Sequence, residues 1–353
     1  MIELKKLWID ILTPKQARLL GTIARELMNL GYDVIVTARD YEYTLATLDR
    51  IGIPYRAIGG YAENLKDKLV TEAKRIIDLL TQLPDFDAAI AFPNPVAARI
   101  SFGLGKPYIA LTDSPHSIAP SRLSLPLAQA VVFSICIPRN EIRKFIYREH
   151  GVILEQFRGV DEVQWLKEYE PDKQAIKELD LEPYTYVVIR PPEVKASYYR
   201  FGDTYSDFRK LISTLLNKDL KILYLPRYSN DPIIKEFSHR KEFVIPSRSL
   251  GIEGPSITYY AIAVVTGGGT LAREAALMGT PGISLFPREL YVNKCVKDLG
   301  FPLYQMREVD KALTIIDEAC KNPDRYREEA ERKMHSLETP LNALLRVFKE
   351  LEL

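Results

Sequence analysis

Val264-Val265-Thr266-Gly267-Gly268-Gly269-Thr270-Leu271-Ala272-Arg273-Glu274-Ala275-Ala276-Leu277-Met278-Gly279-Thr280-Pro281 reads as a buried strand, a triple-glycine turn and a short helix, leaving through Gly-Thr-Pro toward another strand. Glycines let the backbone turn sharply and let a ligand approach without meeting a Cβ. The helix start beyond them offers unpaired N–H groups and a positive dipole end, which suits a phosphate. The stretch matches neither GxxxxGK[ST] nor GxGxxG, since no Lys follows the glycines and their spacing differs. A phosphorylated ligand, nucleotide in type, is one reading; a tight strand-to-helix connection is the other. Leu271, Ala275 and Met278 form an inward stripe at helical spacing, and this puts Glu274 at its flank, near the ligand end.

A chain of 353 residues is long for one core, so two domains are expected. Basic and acidic residues number 48 and 47, and a net charge of +1 gives no reason to expect nucleic acid or an anionic membrane as partner. Cys136, Cys295 and Cys320 form no CxxC pair, and no two of the four histidines have metal-ligand spacing, so neither structural zinc nor another metal is expected. The N-terminus lacks a signal-peptide core, and no apolar run approaches the roughly 20 residues that span a bilayer. A reduced cytoplasmic setting without a transmembrane segment is the expectation.

Outward from the glycine turn, strand and helix signals alternate, as in parallel sheets covered by helices. Strands are expected at 7–12, 34–38, 55–58, 88–92, 108–111 and 130–133, with 135–137 as a further candidate. Helices are expected at 15–30, 42–51 and 65–82. Residues 150–183 are charged, aromatic and poor in strand signal apart from a helical stretch at 172–180, so the domain junction is put there. A second series follows, with strands at 186–190, 220–225, 243–245, 261–266 and 282–286 and a helix at 203–217. The tail from Pro340 carries Leu341, Leu344, Leu345, Phe348 and Leu351 at helical spacing. The predicted fold class is α/β, with two Rossmann-like doubly wound domains facing a cleft.

Ligands of such sheets sit at the carboxyl ends of the strands. Thr112-Asp113-Ser114-Pro115-His116 follows one strand, and Asp113 with His116 is a candidate acid/base pair, or ordinary turn chemistry. Arg190 and Glu193 follow another; the Arg is a candidate diphosphate clamp, or half of a surface ion pair with Glu193. Arg227 ends the neighbouring strand, and two arginines beside a glycine turn weigh more than one. Asp10, in a loop region with Thr13-Pro14-Lys15-Gln16, reads as a structural contact, and Asn94 as a helix N-cap. Glu289 and Asn293, four apart, are candidates for one helix face turned to a ligand.

The opening Leu-Trp-Ile-Asp-Ile, Val-Thr-Ala-Arg-Asp at 36–40, Thr-Asp-Ser-Pro-His at 112–116 and Thr-Gly-Gly-Gly-Thr-Leu-Ala-Arg-Glu-Ala-Ala at 266–276 resemble the domain-of-unknown-function 354 family, prokaryotic and frequent in archaea. That family is similar to GT-B glycosyltransferases and to the non-hydrolysing UDP-N-acetylglucosamine 2-epimerases. The resemblance implies an N-terminal domain over 1–165, a nucleotide-sugar-binding domain over 166–335 and a last helix within 336–353 that packs back on the first domain. It implies that Gly267, Gly268, Gly269 and Thr270 match the diphosphate-binding turn and Glu274 the carboxylate that binds ribose. Arg190 and Glu193 fall where epimerases keep a His-Arg-Glu cluster, without the His. Asp113 falls near an epimerase carboxylate, Asn94 stands near the position of an earlier one, and Pro120-Ser121-Arg122 replaces a later acidic pair.

The preferred reading is a metal-independent glycosyltransferase-like protein, with Asp113 or His116 as base and no cofactor besides the nucleotide-sugar substrate. A glycan or a lipid-linked sugar is the candidate acceptor. The alternatives are a 2-epimerase-like enzyme and a non-catalytic nucleotide-sugar or polysaccharide binder; a homodimer is compatible with all three.

Overall fold

The computed structural model describes residues 5–147, 151–192, 205–228, 230–247 and 254–353. The chain divides into two compact units, Met1–Trp165 with Glu338–Leu353, and Leu166–Leu337. Each contains one parallel sheet with helices between successive strands.

The sheet of the first unit contains β1 (Lys6–Ile11), β2 (Asp33–Ala38), β3 (Arg56–Ala57), β4 (Ala88–Ala91), β5 (Tyr108–Thr112), β6 (Ala130–Ser134) and β7 (Ile153–Phe157), in the order β3-β2-β1-β4-β5-β6-β7. Its middle strands are apolar without alternation and buried throughout, as Ala88–Ala91 and Ala130–Ser134 illustrate. Helices on both faces of a parallel sheet require that. The order reverses between β1 and β4, so this is where the sheet opens a crevice at its carboxyl edge. The helix Pro14–Asn29 starts there, with Thr13 as N-cap and Pro14 in its first turn.

The second sheet contains β8 (Tyr186–Arg190), β9 (Lys221–Tyr224), β10 (Phe243–Val244), β11 (Ala263–Thr266), β12 (Gly282–Ser284) and β13 (Leu303–Gln305), in the order β10-β9-β8-β11-β12-β13. Along β8, Val187 and Ile189 enter one apolar cluster with Phe208 and Leu211, while Tyr186 and Val188 enter the cluster on the opposite face with Ile257 and Ala275. That period of two buries both faces of the strand. Here the order reverses between β8 and β11, and the triple-glycine turn follows β11 directly.

Two expectations about strands are corrected. Residues 135–137 form a turn, and the strand after β6 is Ile153–Phe157, inside the stretch read as poor in strand signal. β7 is an edge strand and only partly buried, so it tolerates Glu155 and Gln156. β13, with three residues, forms the other missed edge. The helix Pro340–Glu350 packs on β6 and β7 and buries Leu341, Ala343, Leu344, Val347 and Phe348. Full burial of each large apolar side chain is worth roughly 1.5–3 kcal/mol, so this helix is firmly anchored. Among the described residues, no helix is long and apolar enough to cross a membrane.

Candidate functional site

In the second unit the glycine turn is built from three unequal positions. The Gly267 N–H donates to the Arg190 carbonyl at 2.9 Å. A Cβ on Gly267 would lie 2.5 Å from the backbone nitrogen of Pro192, so close packing alone demands glycine. A Cβ on Gly269 would collide with Arg273 Nη1 and crowd Asn293 and Leu290. Gly268 is different. Among the described residues, the nearest atoms to a Cβ there are Thr266 Oγ1 at 3.8 Å and Arg227 Nη2 at 3.9 Å, which is ordinary contact. Gly268 is also half-exposed and has no positive φ.

The turn is braced from below. Thr266 Oγ1 accepts the Gly268 N–H at 3.1 Å, and Ser284 Oγ donates to the Gly268 carbonyl at 2.6 Å. The helix Thr270–Leu277 begins at Gly269, with no side-chain cap and no acidic residue in its first turn. Its leading N–H groups and positive dipole end therefore suit an anion. Arg227 Nε donates to the Pro191 carbonyl at 2.9 Å, and this holds the guanidinium beside Gly268. Arg190 ends β8 in register with Thr266 of β11. The structure thus brings Arg190, Arg227, Gly267, Gly268, Gly269 and Thr270 together at one carboxyl edge, with Glu274 on the same helix and 3% exposed.

Glu193 lies outside the described residues. The helix face expected for Glu289 and Asn293 does not form. The helix starts at Tyr291, and Glu289 lies exposed in the loop before it. Asn293 is buried: its Oδ1 accepts from Arg273 Nη1 at 3.0 Å and its Nδ2 donates to Gln305 Oε1 at 3.2 Å. The stripe expected on the glycine-turn helix is also too narrow, since Ala272 to Leu277 are all buried and Leu271 is half-buried. Arg273 and Gln305 are not legible in the sequence, because a brace between two helices and an edge strand has no motif.

The carboxyl edge of the first unit is built from charge. Asp10 on β1 is 1% exposed and accepts from Arg75 Nη1 at 2.8 Å, Arg75 Nη2 at 2.6 Å, Thr37 Oγ1 at 2.5 Å and Asn94 Nδ2 at 2.6 Å. Asn94 Oδ1 also caps the helix Pro95–Gly103 by accepting from Val96 and Ala97. Asp10 is a structural hub and Asn94 an N-cap, as the sequence reading expects. Gly59, with φ of +76°, gives the Arg75 side chain room, because a Cβ there would lie 2.8 Å from Arg75 Cδ.

Beside the hub, Lys15 Nζ donates to Asp113 Oδ2 at 2.5 Å and to Asp161 Oδ2 at 2.7 Å, and lies 4.9 Å from the Phe92 ring centre. Asp113 Oδ1 accepts from Ser114 Oγ at 2.7 Å. His116 is half-buried in the same loop after β5. Asp161, after β7, is 3% exposed, and burial pushes its carboxyl up to about 6. Lys15 opposes that rise, while Asp113 and Glu162 add to it. Two carboxylates sharing one ammonium can hold or release a proton near neutral pH, which is the chemistry of a general acid or base. Asp161 was missed, because Gly159-Val160-Asp161-Glu162 reads as a strand end only once Ile153–Phe157 is known to be a strand.

Comparison with known proteins agrees with this architecture. A relative in Methanocaldococcus jannaschii, an uncharacterized protein, is 27% identical over 292 residues, 80% of this chain and 82% of the relative. The UDP-GlcNAc 2-epimerase of Methanocaldococcus jannaschii, solved with UDP-GlcNAc and UDP, superposes with a TM-score of 0.72 at 14% identity, covering 98% of this chain and 99% of that one. A glycotransferase of kitacinnamycin superposes at 0.57 with 11% identity, covering 99% and 100%. At such identities the likeness speaks for the fold, a GT-B-like α/β architecture with two parallel sheets. Residues 5–350 match the family described as Protein of unknown function (DUF354), and the chain belongs to that family.

Proposed function

We infer that the chain is a nucleotide-sugar enzyme of glycosyltransferase type, in which the second unit holds the donor diphosphate. The observation that carries this reading is Gly268. Packing explains glycine at 267 and at 269, but among the described residues nothing crowds a side chain at 268. A phosphate approaching the backbone there would exclude one. Arg227 and the uncapped start of the helix Thr270–Leu277 add positive potential at the same point. The fold neighbours, which include a UDP-GlcNAc 2-epimerase solved with UDP, support the choice of ligand class. Arg190 and Arg227 would stabilise the charge on the departing diphosphate, with Glu274 toward the ribose. Glu193, too, belongs to the proposed donor set.

In the first unit, Asp113 would take the proton from the acceptor hydroxyl, with His116 as the other candidate base. Lys15 orients Asp113 at 2.5 Å, and Asp161 shares that ammonium. No metal enters this scheme, because the arginines and the helix start supply the positive charge. A glycan or a lipid-linked sugar is the proposed acceptor class, and the cytoplasm the proposed setting.

The test is turnover of UDP-, GDP-, CDP-, ADP- and dTDP-sugars with a panel of glycan and lipid-linked acceptors, run in D2O. A glycosylated acceptor is the expected product. Deuterium at C2 of the recovered sugar without transfer would favour a 2-epimerase-like reaction, a reading supported by the fold likeness to such enzymes. Binding without turnover would leave a nucleotide-sugar binding protein.

A further inference from the structure

On the carboxyl edge of the first unit, Arg39 follows β2 and is held there by the backbone, with its N–H donating to the Ile11 carbonyl at 2.8 Å. The Asp40 N–H donates to the Gly59 carbonyl at 3.0 Å, which draws the segment after β3 alongside. The Arg39 side chain donates from Nη2 to the Leu12 carbonyl at 3.0 Å. Its guanidinium carbon lies 5.1 Å from the Tyr41 ring centre and 5.7 Å from that of Tyr61. The two rings are 4.7 Å apart. Lys68 Nζ adds a second cation 5.0 Å from the Tyr61 ring.

This cation is poorly answered. Arg39 Nε is buried and has no hydrogen-bond partner among the described residues. The neighbouring carboxylate, Asp10, is already clasped by both terminal nitrogens of Arg75. Burial and the Arg75 charge hold the Arg39 guanidinium below its ordinary value. A buried donor left without an acceptor is costly. An anion arriving at this half-buried side chain would relieve the charge. The ring of Tyr61, 38% exposed, offers the apolar face of a sugar ring somewhere to lie.

We propose that Arg39, Lys68, Tyr41 and Tyr61 form a recognition site for an anionic sugar, in which a phosphate or carboxylate meets Arg39 and the ring meets Tyr61. The site deepens the transferase reading and rests on it for one point only, that the ligand is the acceptor. A planar, five-donor guanidinium suits phosphate and carboxylate alike. The two tyrosines next to it select a carbohydrate over a bare ion.

The experiment is titration of the full chain with glucose 6-phosphate, glucuronate, inorganic phosphate and neutral glucose, followed by calorimetry. UDP-N-acetylglucosamine and the other nucleotide sugars are titrated in parallel. Wild type is expected to bind at least one anionic sugar more than tenfold tighter than glucose, and the stronger of the two identifies phosphate or carboxylate as the group read. Arg39→Gln should lose that preference. Tyr61→Leu should bind the anionic sugar no better than inorganic phosphate. If Arg39→Gln fails to fold, Lys68→Gln and Tyr61→Leu, both at accessible positions, carry the test through a loss of at least threefold each. Equal affinity for glucose and the anionic sugars, or unchanged affinity in the folded variants, would overturn the proposal. Nucleotide-sugar binding without anionic-sugar binding removes this site and leaves the donor reading. The reverse pattern keeps the site and removes the donor reading.

Discussion

The two carboxyl edges are made of opposite materials. In the first unit, charged side chains meet side chains: Asp10 with Arg75, and Lys15 with Asp113 and Asp161. In the second, the contacts run to the backbone: Gly267 packs against Pro192, the Gly267 N–H donates to the Arg190 carbonyl, and the Arg227 side chain donates to the Pro191 carbonyl. Two sheets of similar topology therefore present one edge that can carry protons and one that can cradle an anion. The difference teaches that a shared Rossmann-like frame positions a site without deciding its chemistry.

Removing charge from the first edge is expected to have the largest effect. Arg75→Ala would leave the Asp10 carboxylate buried without its cation, a loss of about 3–5 kcal/mol. Denaturant unfolding measures it. A loss below about 1 kcal/mol would mean that the hub is solvated and the contrast overstated.

A pH series sharpens the same contrast. The Asp161 carboxyl sits at about 6 in the folded chain, above its value when unfolded. The folded state therefore binds more protons than the unfolded state between about pH 4 and 6, and stability falls as pH rises through that window. The full fall is on the order of 2–3 kcal/mol. Asp161→Asn should flatten it; a profile of stability against pH identical to wild type would contradict the assignment.

The second edge should respond to volume instead. Gly267→Ala forces a methyl group into the Pro192 backbone, with an expected cost of about 1–3 kcal/mol from overpacking. Wild-type stability in this variant would show that the turn is loose. Arg227→Ala loses one part-buried hydrogen bond to the Pro191 carbonyl and should lower the unfolding free energy by only about 1 kcal/mol. It should weaken nucleotide-sugar binding by about 1.5–3 kcal/mol, the worth of a charged hydrogen bond. Calorimetry separates that from an Arg that only braces Pro191, whose loss would appear in stability alone.

Much of this architecture is legible in the residues. Central strands such as Ala88–Ala91 and Ala263–Thr266 are buried apolar runs, and the glycine turn stands directly after one of them. The edge strands Ile153–Phe157 and Leu303–Gln305 are less so, because an edge tolerates polar residues and needs little length. Asp10 and Asn94 declare their structural roles through strand position and capping pattern. Asp161 does not, since its partners Lys15 and Asp113 lie 146 and 48 positions away in the chain, one in the first turn of a helix and the other after a different strand. Glu289 and Asn293 fail as a pair because spacing of four matters only inside a helix, and the helix begins between them.

The most direct test of the donor site is binding of nucleotide sugars to wild type and to Gly268→Ala, with unfolding midpoints measured beside the titrations. Backbone geometry and the space left by the described residues allow a methyl group at 268, so the variant should fold with wild-type stability. A donor site at the glycine turn predicts that wild type binds at least one nucleotide sugar and that Gly268→Ala, equally stable, binds it at least tenfold more weakly. Equal binding by the two proteins, or no binding of any nucleotide sugar to wild type, would contradict it.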